Sequence, residues 1–137
     1  MHEWALAESV VLAVGNEIRK ENIKEICRVK IKIGELQQID MEIFKLALEN
    51  VLGIHLPGVD INKIILDIDE CTLKCKVCEN TWNYRDALKN LEEDEAEAIH
   101  FVPEVSHIYM RCPSCGSPDF SVVKGRGVWI DCIEGEK

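Results

Sequence analysis

Two Cys-x-x-Cys pairs, Cys75-Lys76-Val77-Cys78 and Cys112-Pro113-Ser114-Cys115-Gly116, are the residues of this chain best suited to chemistry. Two residues between cysteines let both thiolates of one turn converge on one ion, and a second such turn completes a tetrahedron. Gly116 tolerates the conformation that such a turn needs. Four thiolates suit Zn(II). A site filled by protein ligands leaves no position for water, so the ion holds structure and does not catalyse. The same turns also fit a rubredoxin-type iron centre. The long, charged spacer between them favours zinc.

Met1-His2-Glu3 offers a different metal chemistry. The α-amine of Met1, the backbone nitrogen of His2 and its imidazole can close fused chelate rings on one ion. Binding through a deprotonated amide nitrogen requires a square-planar preference, which selects Ni(II) or Cu(II) over zinc. A His at position 2 usually has no such role. A fourth ligand is still needed, and Glu3, Asp40 and His100 are the candidates. His100 sits among apolar neighbours in Ile99-His100-Phe101-Val102-Pro103, where an imidazole is as readily a packed, hydrogen-bonded side chain. His55 and His107 are read as structural.

The elements that position these groups follow from periodicity. Apolar residues at Trp4, Ala7, Val11, Val14 and Ile18 mark a helix. Cys27, Val29, Ile31 and Ile33 alternate with Arg28, Lys30 and Lys32 as a one-sided strand ended by Gly34. Asp40 is an N-cap for a second helix with Ile43, Phe44, Ala47, Leu48 and Val51 on its apolar face. Leu56-Pro57-Gly58 breaks that helix, and Ile64, Leu66 and Ile68 mark a second strand. Short strands recur over 120–123 and 128–133, separated by Gly125-Arg126-Gly127, which would supply a hinge. The last strand is expected to return to the first sheet. The fold class is therefore α+β: a small α/β domain of two helices on a short sheet (1–70 plus 126–137), with an inserted four-cysteine zinc domain (71–125). Cys27 and Cys132 are expected as small core hydrophobes, and Cys71 as a partly buried thiol at the end of the second strand.

Charge and composition exclude several functions. Sixteen Lys and Arg stand against 25 Asp and Glu, a net charge of −9, which argues against a nucleic-acid binder. No apolar run approaches the roughly 20 residues of a membrane span. An odd set of seven cysteines, with no basic-then-apolar leader, points to a reducing, cytoplasmic setting and to metal over disulfides. The acid run Glu92-Glu93-Asp94-Glu95 reads as a solvated helix face. No paired carboxylates, Ser-His-Asp order or phosphate-binding glycine loop suggests an enzyme. A zinc-ribbon adaptor or interaction module without nickel function is the alternative reading.

The combination of Met1-His2-Glu3, Ile33-Gly34-Glu35-Leu36, the two Cys-x-x-Cys turns and Gly125-Arg126-Gly127-Val128 resembles the HypA/HybF family of hydrogenase maturation factors over essentially the whole chain. The resemblance implies a nickel metallochaperone, with Met1, His2 and Glu3 matching the nickel motif and the Met1 amine and His2 as principal ligands. It implies structural zinc on Cys75, Cys78, Cys112 and Cys115. Implied partners are the GTPase HypB and the hydrogenase large-subunit precursor, while some relatives also assist urease. The stretch between the cysteine turns is longer than in many bacterial relatives. In the longer members it resembles His100-Phe101-Val102-Pro103-Glu104-Val105, whose His can serve as an additional nickel ligand. Cys71 is outside the family pattern.

Overall fold

The computed structural model describes residues 2–37, 39–89, 91–95, 98 and 109–137. Its helices and strands run α1 (His2–Lys20), β1 (Glu25–Gly34), α2 (Met41–His55), β2 (Ile64–Asp69), β3 (Thr72–Cys75), β4 (Thr81–Asn83), α3 (Tyr84–Leu88), β5 (Phe120–Lys124) and β6 (Val128–Glu136). They form two three-stranded sheets, ordered β2-β1-β6 and β4-β3-β5. The chain is α+β, as its periodicity predicts.

Contacts divide it into two compact units: Met1–Lys32, Ile39–Asp67 and Val128–Lys137, and Ile33–Gln38 with Ile68–Gly127. The expected division left residues 33–38 in the first part. In the structure Leu36 is fully buried in the second unit's core, with its N–H on the Gly125 carbonyl at 3.0 Å.

In the first unit, α1 and α2 pack on one another and Ala7, Val10, Val11 and Val14 face inward from α1. Trp4, expected on that face, is 44% exposed, and Glu3 takes the buried position instead. Residues 3, 7, 10 and 14 fall on one helical stripe, and residue 4 lies at its margin. The left-handed Asn22 (φ 54°) ends α1, with the Ile23 N–H on the Ile18 carbonyl at 3.0 Å. Asp40 caps α2 as predicted, accepting the N–H groups of Glu42 and Ile43 at 3.1 and 3.2 Å. Phe44, Ala47, Leu48, Val51 and Leu52 are buried there, whereas Ile43 is 40% exposed. Along β1, Val29, Ile31 and Ile33 are buried but Cys27 and Arg28 are both exposed and Ile26 is buried. The alternation slips between 26 and 29, so the expectation of a core Cys27 is corrected. Cys132 is partly buried.

In the second unit, β3 is the central strand. Leu73 pairs with Trp82 of β4 and Val122 of β5, and Cys75 pairs with Phe120. Leu36, Cys71, Leu73, Tyr84, Met110 and Phe120 form its core, with the Trp82 ring edge-on to Phe120 at 5.4 Å. Gly125 closes this unit. At φ 88° it lies so near Cys71 that a Cβ would stand 2.4 Å from the Cys71 Cα. Only glycine fits such an approach.

Candidate metal centre

The two cysteine turns are built alike. In the first, Cys75 N–H donates to the Asn80 carbonyl (2.8 Å) and Glu79 N–H to the Cys75 carbonyl (3.1 Å). In the second, Cys112 N–H donates to Ser117 (2.9 Å) and Gly116 N–H to Cys112 (2.8 Å). β3 delivers the first turn and β5 follows the second, so the β3–β5 pairing brings them together. All four sulfurs lie within 4.8 Å of one another, with Cys75 to Cys115 at 3.5 Å and Cys78 to Cys112 at 3.6 Å. A tetrahedron with metal–sulfur bonds of about 2.3 Å has edges of roughly 3.8 Å, so the set has the size of a four-thiolate zinc site.

The surrounding backbone favours thiolates. The N–H groups of Cys78 and Val77 reach Cys75 Sγ at 3.4 and 3.3 Å and hold that thiol below its ordinary value. At Cys112, burial raises the pKa, but the N–H groups of Cys115 and Ser114 outweigh it and bring the thiol down to about 6. Asn80 Nδ2 approaches the same sulfur at 3.9 Å. At Cys115 the Ser117 N–H favours the thiolate, yet the crowded neighbouring sulfurs, Cys75 first, push it up to about 12. Four sulfurs this close do not all ionise without a cation between them.

Cys71 belongs to a different environment. It is fully buried, and burial together with Glu35 and Asp69 pushes its thiol up to about 12. Glu35 ties this region together: Oε1 accepts the Cys71 N–H at 3.2 Å, and Oε2 takes Nε and Nη2 of Arg85 at 3.1 and 2.8 Å. In the sequence Glu35 stands out only as part of Ile33-Gly34-Glu35-Leu36. Its partners come from residues 36 and 50 positions away, which no local spacing reveals.

The N-terminal candidates are only partly within the described residues. Met1 and His100 lie outside them, and His2 is described by its backbone as the first residue of α1. Glu3 is 5% exposed, and its Oε1 accepts the Asp40 backbone N–H at 3.3 Å. The first turn of α1 is thus fastened to the head of α2 through Glu3 and residue 40. No helix among the described residues is long and apolar enough to cross a membrane.

The family described as "Hydrogenase/urease nickel incorporation, metallochaperone, hypA" matches residues 1–135. Relatives named hydrogenase maturation factor HypA from Pyrococcus horikoshii and Pyrococcus furiosus are each 42% identical over 138 residues, covering 100% of this chain and 97% of theirs. A solution structure of the Ni metallochaperone HypA from Helicobacter pylori aligns with a TM-score of 0.58 at 21% identity, over 98% of this chain and 97% of that one. Another HypA solution structure aligns with a TM-score of 0.56 at 23% identity, over 98% and 96%. These two likenesses bear on the fold.

Proposed function

The chain belongs to the HypA family, and from that membership we infer a nickel metallochaperone that carries Ni(II) at the head of α1 and holds its second unit with structural zinc. What carries this reading is the family match over residues 1–135 together with Met1-His2-Glu3 at the start of the matched region. The Met1 amine, the His2 amide nitrogen and the His2 imidazole supply three planar donors. His100 or Glu3 supplies the fourth, with Asp40 adjacent. Cys75, Cys78, Cys112 and Cys115 take the zinc, and their spacing and N–H donors support that assignment.

The protein acts by ligand exchange and not as an enzyme. A site of few ligands at the head of a helix can be captured stepwise by a better-equipped acceptor without unfolding its host. The Glu3 bond to the Asp40 N–H holds the donors on α1 in place while they are exchanged. The relatives named as hydrogenase maturation factors support a role in hydrogenase maturation; the recipient in this reading is the hydrogenase large-subunit precursor, with the GTPase HypB as co-worker.

The test is titration of Ni(II) into zinc-loaded protein with any tag at the C-terminus, repeated with His2→Ala and His100→Ala. One-to-one binding with the absorption of planar Ni(II), lost in His2→Ala, is the expected result. Binding indifferent to His2 sinks the nickel assignment and leaves a zinc-stabilised module. His100→Ala separates the fourth-ligand candidates.

A further inference from the structure

Among the described residues strand β6 is the edge of its sheet, with β1 on one side and no strand on the other. It runs for nine residues, Val128–Glu136, antiparallel to β1: Lys24 N–H bonds the Glu136 carbonyl and Gly34 N–H the Gly127 carbonyl, each at 2.7 Å. Such an edge presents a row of peptide groups that an extended chain can complete. Edges are commonly blunted by lysine, proline or a covering helix. This one has no lysine or proline, and carries Asp131, Glu134 and Glu136.

Beside the edge, between α1 and β6, lies a groove of about 490 Å³. Ala13, Ile23 and Ile130 give it an apolar floor, and Glu17 and Glu21 stand on its α1 side. Among the described residues, Lys137 reaches Glu21 at 3.7 Å with both side chains exposed, Lys30 reaches Asp131 at 4.0 Å, Arg28 pairs with Glu134, and Arg19 is held on Asn16 at 2.6 Å. Glu17, on the α1 side of the groove, has no ion-pair partner among the described residues, so the groove keeps a carboxylate that no neighbouring cation neutralises.

We propose that the outer edge of β6 receives an extended segment of a partner protein as a fourth strand, with Lys or Arg at the positions that face the groove. Residues of an added strand alongside Ile130 and Cys132 project to the same side as these, into the groove. A long cationic side chain there lays its stem on Ile23 and Ile130 and brings its head to Glu17 or Glu21. Main-chain bonds supply the attachment and the acids supply the selection. A second copy of this chain is a poor occupant, because β6 itself carries no Lys or Arg to set against Glu17 and Glu21.

A fluorescent nine-residue peptide of alternating Lys and Val tests this against the full-length, zinc-loaded protein. We expect saturable one-to-one binding and slowed amide exchange along β6. N-methylation of alternate peptide bonds, and separately the Glu17→Lys/Glu21→Lys pair, each weakens binding roughly tenfold or more. The Glu-Val counterpart does not bind. Absent binding, equal binding of the N-methylated or Glu-Val peptide, unchanged β6 exchange, or indifference to the Glu17→Lys/Glu21→Lys pair each overturns the proposal. So does concentration-dependent protection of β6 without peptide, which assigns the edge to self-association. N-methylation leaves the protein untouched, so its outcome is independent of variant folding, and none of these readouts depends on nickel.

Discussion

Glu79 and Gly116 occupy the same place in the two cysteine turns, one residue past the second cysteine, and both have a left-handed backbone, at φ 63° and 77°. Glycine adopts that conformation freely, whereas a residue with a Cβ loses about 1–2 kcal/mol. Part of the difference returns through the more flexible unfolded chain. Glu79→Gly is therefore expected to stabilise the zinc-loaded protein by about 0.5–1 kcal/mol, and Gly116→Ala to destabilise it by about 1–2 kcal/mol. Urea unfolding at fixed free zinc measures both.

The Glu35 carboxylate satisfies a main-chain donor and a guanidinium at once, but its two partners differ in exposure. The Arg85 side chain is 66% exposed and that of Glu35 is 13% exposed. Glu35→Ala leaves the Cys71 N–H without its acceptor, at a cost of about 2–3 kcal/mol. Arg85→Ala costs less than about 1 kcal/mol. A calorimetric ranking with Arg85→Ala the more damaging would contradict this.

Cys71 makes stability sensitive to alkali. Its ordinary pKa is 9.0, and the folded chain raises it to about 12. Below pH 9 both states keep the proton and the contribution is complete. Between 9 and 12 the unfolded chain releases the proton first, so stability falls as pH rises. Part of the alkaline loss should be missing in Cys71→Ala when denaturation is compared at neutral and alkaline pH. Ellman's reagent should reach the exposed Cys27 well before Cys71.

Asp40 stands where capping and metal binding can be separated. Asn caps a helix as well as Asp, so Asp40→Asn should hold stability within about 0.5 kcal/mol, while Asp40→Ala loses about 1 kcal/mol. Glu3 bonds the backbone of residue 40, a contact available to either variant. Nickel affinity that falls in Asp40→Asn at unchanged melting temperature identifies the carboxylate as a ligand, and unchanged affinity removes it from the candidates.

What the sequence makes legible is what repeats along the chain. Both long helices, the Asp40 cap, the first strands and the return of β6 beside β1 follow from periods of 3.6 and 2 and from one capping side-chain acceptor. The cysteine quartet is legible because its spacing is its geometry. Trp4 and Ile43 lie at the margins of their helical stripes, and periodicity cannot decide which marginal residue packing will cover. Cys27 is exposed because the alternation of β1 slips, which only the paired strands determine. The sheet β4-β3-β5 was legible only at its last strand: β3 and β4 are four and three residues long, too short for any alternation to stand out. Long-range bonds such as Glu35 to Cys71 leave no local mark.

The approach of Gly125 to Cys71 has an evolutionary reading. Every amino acid reachable from a glycine codon by one base change carries a Cβ, and a Cβ at 125 meets the Cys71 Cα at 2.4 Å. The same holds at Gly34, where a Cβ would meet the Gly125 carbonyl oxygen at 2.4 Å. Purifying selection would hold both letters fixed even in a descendant that no longer handled nickel. Invariance at these two glycines would therefore report how closely the chain passes itself, and would carry no information about which metal, or which recipient, the lineage serves.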